Sequence, residues 1–195
     1  MTFSFKSLAA RPWLSLGLAL LLLLTRMGHV GSAVALPDAT LAVFFLAGMW
    51  IASGWVFVAL LAIAALADQL AFASGVSDWC VTAAYVFLIP TYGALWLAGK
   101  FCRNVNLTSL QGSARVLAYV VAGSAVAFVI SNCSFFWLSG YYTDISLAEI
   151  WSRTYMDIPW YMGWAVAYVA GGCAIAVLAN FIKLRRAHAT ASDAR

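Results

Sequence analysis

The residues able to do chemistry in this chain gather at the polar breaks between apolar runs. Foremost is Cys80, which follows Ser77-Asp78-Trp79 and opens the apolar stretch Val81 to Ala98. A helix starting at Trp79 would hold that thiol in its first turn, among unpaired backbone N–H groups at the positive end of the helix dipole, where thiolate is favoured. A thiolate there is a soft-metal ligand or a nucleophile. Tyr85 lies five positions further along the same predicted helix. Asp68 sits about five residues inside the end of the preceding apolar segment, a depth of roughly 7 Å at helical rise. A carboxylate at that depth points either to function or to a structural ion pair, here with Arg26 or Arg153. His29, at the end of the first apolar run, could donate to a ligand or pair with an acid. Arg153 could reach a ligand or pair with Glu149 on the preceding helical turn.

The elements that must position these groups are membrane helices. Of the 195 residues, 65% are hydrophobic and only 9% charged, with a mean hydropathy of +0.92, far from the balance of a soluble domain. With short connections and about 20 apolar residues per span, the chain has room for five or six spans in a single membrane domain, residues 1–195. The expected fold is therefore all-α, a bundle of six transmembrane helices at about 12–30, 37–52, 55–73, 79–98, 113–138 and 158–182.

The assignment turns on Ala39 to Ala67, which carries no charge and is long for one span. Ser53-Gly54 near its middle offers a reversal. Read as two spans, the stretch places Lys6, Arg11, Lys100, Arg103, Arg115, Lys183, Arg185, Arg186 and Arg195 on one side, nine of the eleven basic residues, and that side is expected to be cytoplasmic. Both termini then lie inside. The opposite side collects Arg26, His29, Arg153 and six of the seven acids together with many aromatics, among them Trp79, Tyr85 and Trp160. This is an interfacial aromatic belt, or a polar pocket with the Ser139 to Asp157 loop as its lid. Lys6 and Arg11 before Trp13 to Leu24, with Ala33-Val34-Ala35 beyond, imitate a secretory signal. Arg26 and His29 make that stretch too long and too polar for one, so it is expected to remain as the first span.

Several function classes are disfavoured. A net charge of +4 is spread over segment ends, which does not suit nucleic acid. Cys80, Cys102, Cys133 and Cys173 form no C-x-x-C and have no histidine at metal-site spacing. His29 and His188 fall on opposite predicted sides, so they cannot sandwich a haem, and no phosphate loop is present. Binding and passage fit better than catalysis.

Six helices with both ends inside, and Asp78-Trp79-Cys80 opening the fourth, make nearly the whole chain resemble the small cobalamin transporters of the BtuM type. These look like solitary S-components of energy-coupling-factor vitamin transporters. The resemblance implies uptake of cobalamin (vitamin B12) across the bacterial inner membrane, with Cys80 as the axial ligand of the corrinoid cobalt. It makes Asp68, Tyr85, His29, Arg153 and Trp79 candidates for the pocket around the corrin. Thiolate suits cobalt, and a broad disc edged with amides suits an aromatic vestibule. The same contact could labilise the opposite axial ligand, giving decyanation of cyanocobalamin as a second expectation. S-components that dock on a shared energising module share an Ala-x-x-x-Ala pattern on helix one. Trp13 to Leu24 lacks it, its nearest small pair being Ser15 and Ala19. The competing expectations are an S-component-like carrier of another vitamin, which would leave Cys80 without a role, and a membrane thiol-redox enzyme, which would need Cys133 close to Cys80.

Overall fold

The computed structural model describes residues 12–26, 36–79 and 81–193, with backbone alone for 187–193. The described residues are all-helical. Six apolar helices run along the chain: α1 (Pro12–Arg26), α2 (Thr40–Trp50), α3 (Gly54–Ala73), α4 (Leu88–Phe101), α5 (Leu110–Leu138) and, after a short α6 (Leu147–Thr154), α7 (Ile158–Asp193). Single 3₁₀ segments, Ala83–Phe87 and Tyr155–Asp157, lead into α4 and α7. Three stretches are long and apolar enough to cross a membrane: Gly54–Ala73, Leu110–Leu138 and Leu147–Arg186. This is the pattern of a multi-pass membrane protein.

The uncharged stretch does divide into two helices. Ala52 adopts a left-handed φ of 55°, and the amides of Ile51 and Ala52 both donate to the Ala47 carbonyl, so the chain turns sharply before Ser53 and restarts at Gly54. Proline placement follows the same logic of helix starts. Pro12, Pro90 and Pro159 all lie in the first turn of regular α-helix, where proline's fixed φ is accommodated. Ser109 and Ser146 cap α5 and α6 by accepting from the Gly112 and Glu149 amides at 3.1 and 3.2 Å.

The predicted fourth helix needs correction. It begins not at Trp79 but at Ala83, where Thr82 in extended conformation accepts the Ala84 N–H and so starts the 3₁₀ segment; regular α-helix follows only from Leu88 and continues to Phe101. Trp79 lies in a turn. The first-turn argument for a Cys80 thiolate therefore fails, because Thr82 rather than the Asp78-Trp79 pair is the capping position. Cys80 and His29 themselves lie outside the described residues. The last helix also runs further than predicted, to Asp193 rather than 182, since no proline or glycine stops it.

Helix α2 is the centre of the bundle. From Ala42 to Trp50 every residue is buried, which is why its apolar side chains show no preferred face. Its neighbour α4 runs in the same direction, with Phe44 opposite Tyr92 and Gly48 opposite Trp96. The backbones nearly touch: a Cβ at Gly48 would lie 2.0 Å from the Trp96 carbonyl oxygen, and one at Gly99 2.0 Å from that of Phe45. Small residues allow such an approach where lipid supplies no hydrophobic drive for helix association. Leu107 and Ser113, around the α4–α5 turn, share a groove with Leu178 and Phe181 of α7, so the basic ends of these elements lie at one end of the bundle. Arg26, Asp38 and Asp68 meet at the other.

Gly99→Ala forces α2 and α4 apart, and a loss of about 1–3 kcal/mol of stability is expected. Gly17→Ala, where nothing lies within 4 Å, is expected to leave stability unchanged or slightly raised. Thermal unfolding of the two variants in detergent beside wild type checks the contrast.

Candidate functional site

At the end of α1 the chain places an arginine against the interior of the bundle. A guanidinium has five donors and cannot shed its proton, so a position that is only 12% exposed needs acceptors from its surroundings. Arg26 finds them on three neighbouring elements. Its Nε and Nη2 donate to the two carboxylate oxygens of Asp68 on α3, at 2.5 and 2.7 Å, a bidentate pair. Its Nη1 donates to the Tyr92 hydroxyl of α4 at 3.0 Å and to Thr40 Oγ1 at 3.2 Å, with the exposed edge of Asp38 at 3.5 Å.

The partners are themselves held. The Tyr92 ring stacks on Phe44 with centroids 4.6 Å apart and planes 4° from parallel. Asp38 accepts the Thr40 amide at 2.8 Å and so starts α2, while Thr25 accepts the Ala39 amide at 3.1 Å and ties the end of α1 to the same point. Asp68 takes a further hydrogen bond from the Tyr85 hydroxyl, at 2.5 Å to Oδ2. Both of its oxygens are thus engaged by donors. It serves as an anchor for charge and orientation and is badly placed to act as a base.

Two cavities flank this network. One of about 380 Å³ is walled by Arg26, Asp68, Ser77, Tyr85, Asn132 and Ser134. The other, about 240 Å³, is bounded by Asp38, Thr40, Tyr92, Trp160, Tyr161 and Trp164. Leu88 and Ser131 belong to both. Hydroxyls, an amide and aromatic faces over a fixed charge pair are the equipment of a binding site for a polar solute with flat or apolar parts.

Of the residues singled out in the sequence, Asp68 and Tyr85 come together here. Asp68 makes the ion pair with Arg26, not with Arg153. Arg153 is instead half-exposed on α6, pairs with Glu149 at 2.9 Å across one helical turn and lies over the Tyr142 ring at 5.8 Å; it lines neither cavity. Trp79 also lies outside them. Its indole stacks on Tyr141 at 3.9 Å, and its carbonyl accepts the Tyr141 hydroxyl at 3.2 Å, pinning the segment before α4 to the Ser139 to Asp157 region. Cys80 directly follows Trp79 in this segment, between Ser77 and Tyr85, both of which line the larger cavity. Sequence reasoning gave Arg26 only as a partner, and it missed Thr40, Tyr92 and Asn132. The signal for Asn132 was available, as a carboxamide within the apolar helix α5, flanked by Ser131 and Ser134.

Cys102, Cys133 and Cys173 are unpaired, and burial pushes the Cys102 thiol, just past α4, up to about 11. Among the described residues no group of three His, Cys, Asp or Glu side chains could hold a metal ion. Comparison with protein-family models and with curated proteins finds no match to this chain.

Replacing Asp68 by alanine leaves the Arg26 guanidinium buried beside one distant carboxylate, and about 3–5 kcal/mol of stability is expected to be lost. Tyr85→Phe removes a single hydrogen bond to a charged group, for about 1.5–3 kcal/mol. Denaturant unfolding in detergent ranks the two; equal losses would show that Asp68 is not the main counter-charge of Arg26.

Proposed function

We propose that this protein is a solute-uptake protein of the bacterial inner membrane, with both termini in the cytoplasm, that takes cobalamin from the outer side and carries the Cys80 thiolate as axial ligand to its cobalt. The observation that carries the reading is the Arg26–Asp68–Tyr85 wall of the larger cavity, built beside the segment to which Cys80 belongs. The orientation rests on charge: Lys100, Arg103, Arg115, Lys183 and Arg185 cluster towards one end, and the acid-bearing network lies at the other.

A corrinoid brings its metal already held in the plane of the macrocycle. The protein then needs to supply only one axial donor, and a three-residue metal cluster is unnecessary. The cavities at the network are smaller than the whole corrinoid. They suit its amide and nucleotide edges, with the disc itself at the mouth beneath Trp79, Tyr141 and the aromatic face of α7. The Ser77 and Asn132 side chains offer hydrogen bonds to edge amides, and Tyr85, fixed by Asp68, presents its ring to the same space. Arg153, paired with Glu149 on α6, lies in the lid region that would close over the ligand. A thiolate on cobalt weakens the bond on the opposite face, so cyanocobalamin would release cyanide on binding.

Energisation by an energy-coupling-factor module remains part of this reading only as a weak interaction. The helix-one face offers Gly17 with open space around it, and not the paired alanines of docking S-components.

The test is the visible spectrum of detergent-purified protein after incubation with cobalamin and removal of free ligand. Wild type is expected to retain corrinoid with displaced bands, and Cys80→Ala to retain corrinoid with the bands of the free vitamin or to lose it. No retained colour in wild type overturns the cobalamin reading. Displaced bands in both proteins overturn ligation by Cys80 and leave the substrate standing.

A further inference from the structure

A further cavity lies away from the polar network. It is an apolar groove of about 550 Å³ between α5 and α7, walled by Val116 and Val120 on one side and by Val169, Ala174 and Phe181 on the other. Its one polar side chain is Ser113, near the start of α5. The groove runs towards the basic end of the bundle, where Leu107 of the α4–α5 turn also lines it.

What lies at that end decides what can occupy it. Arg185 stands with its guanidinium 4.8 Å from the centre of the Phe181 ring, so a fixed cation sits directly on a wall residue of the groove. Arg115, between the wall residues Ser113 and Val116, folds back to donate to the Phe101 carbonyl at 3.1 Å and lies over the Tyr119 ring at 5.7 Å. Neither arginine has a carboxylate partner among the described ion pairs. The Phe101 and Tyr119 contacts hold the Arg115 guanidinium on the α4 side of α5, away from the groove, and an apolar channel that ends at the single guanidinium of Arg185 has the two-part chemistry of an acyl chain joined to an anionic headgroup.

We propose that this groove is a binding site for an anionic diacyl phospholipid, one acyl chain lying between α5 and α7 and the phosphate held by Arg185. The inference rests on the chain being embedded in a membrane and not on the cobalamin reading. An acyl chain there completes the packing of α7, whose Leu178 and Phe181 are otherwise more than half exposed. A zwitterionic lipid fills the apolar part equally well and gains less from Arg185.

The protein is purified in mild detergent and mixed with phosphatidylglycerol or phosphatidylcholine of identical acyl chains, and retained lipid is read by native mass spectrometry. One phosphatidylglycerol per chain is expected, with about a fivefold loss of retention in Arg185→Gln and no such loss in Arg115→Gln, whose guanidinium lies on the α4 side. Ala174→Phe, which fills the groove, is expected to lower retention of both lipids. Equal retention of the two lipids by wild type overturns the proposal, as does phosphatidylglycerol retention that survives Arg185→Gln. Arg185 is solvent-exposed, so its variant stays folded even where Ala174→Phe does not. Corrinoid retention by the same samples is a separate readout, and its failure leaves the lipid result intact.

Discussion

A permanently charged guanidinium buried at the junction of α1, α2, α3 and α4 sets the terms for one whole end of this molecule. Arg26 cannot neutralise itself, so every element that approaches it must bring an acceptor: Asp68 from α3, Asp38 and Thr40 from the start of α2, Tyr92 from α4. Each acceptor is then oriented by something else. Phe44 fixes Tyr92, the Thr40 amide fixes Asp38, and Tyr85 completes Asp68. The two cavities flank this network, while further along Gly48 and Gly99 let α2 and α4 come into backbone contact. The polar end is joined through side chains and the middle of the bundle through close backbone approach, following where its charge and its glycines lie.

The satellite structure over the polar end is organised by different forces. Phe136, Ile145 and Ile150 form a small core of their own under α6, and Trp79 on Tyr141 links it to the segment preceding α4. This cap touches the main bundle through few residues and is held largely by ring stacking. Among the described residues it has a far smaller buried apolar cluster than the main bundle to hold it shut, and so opens at lower cost.

Much of this was legible in the amino-acid sequence. Hydropathy and the absence of charge from Ala39 to Ala67 were enough to divide that stretch at Ser53-Gly54, because a run too long for one span and bounded by charge must turn. Asp68 and Tyr85 stood out as polar groups within apolar helices, and the ion pair with Arg26 was one of two partners open to Asp68. What failed was local. The start of α4 depended on whether Asp78, Trp79 or Thr82 caps it, a choice made by backbone conformation that hydropathy does not record. Arg153 was ambiguous because a helical neighbour at the right spacing, Glu149, competes with any tertiary partner. Thr40 and Tyr92 were invisible as site residues since their roles come from meeting Arg26 across helices far apart in the chain.

The brevity of α2 also has a bearing on distance. Eleven residues at about 1.5 Å each make a rod of roughly 16 Å, about half the hydrocarbon thickness of a bilayer. The Thr40 end of that rod faces the smaller cavity, and its Trp50 end lies towards the basic side. In the uptake reading proposed above, a solute resting against Thr40 would have the length of α2 left to pass, a step that a tilt of a few helices, rather than a full exchange of inward and outward shapes, is long enough to span.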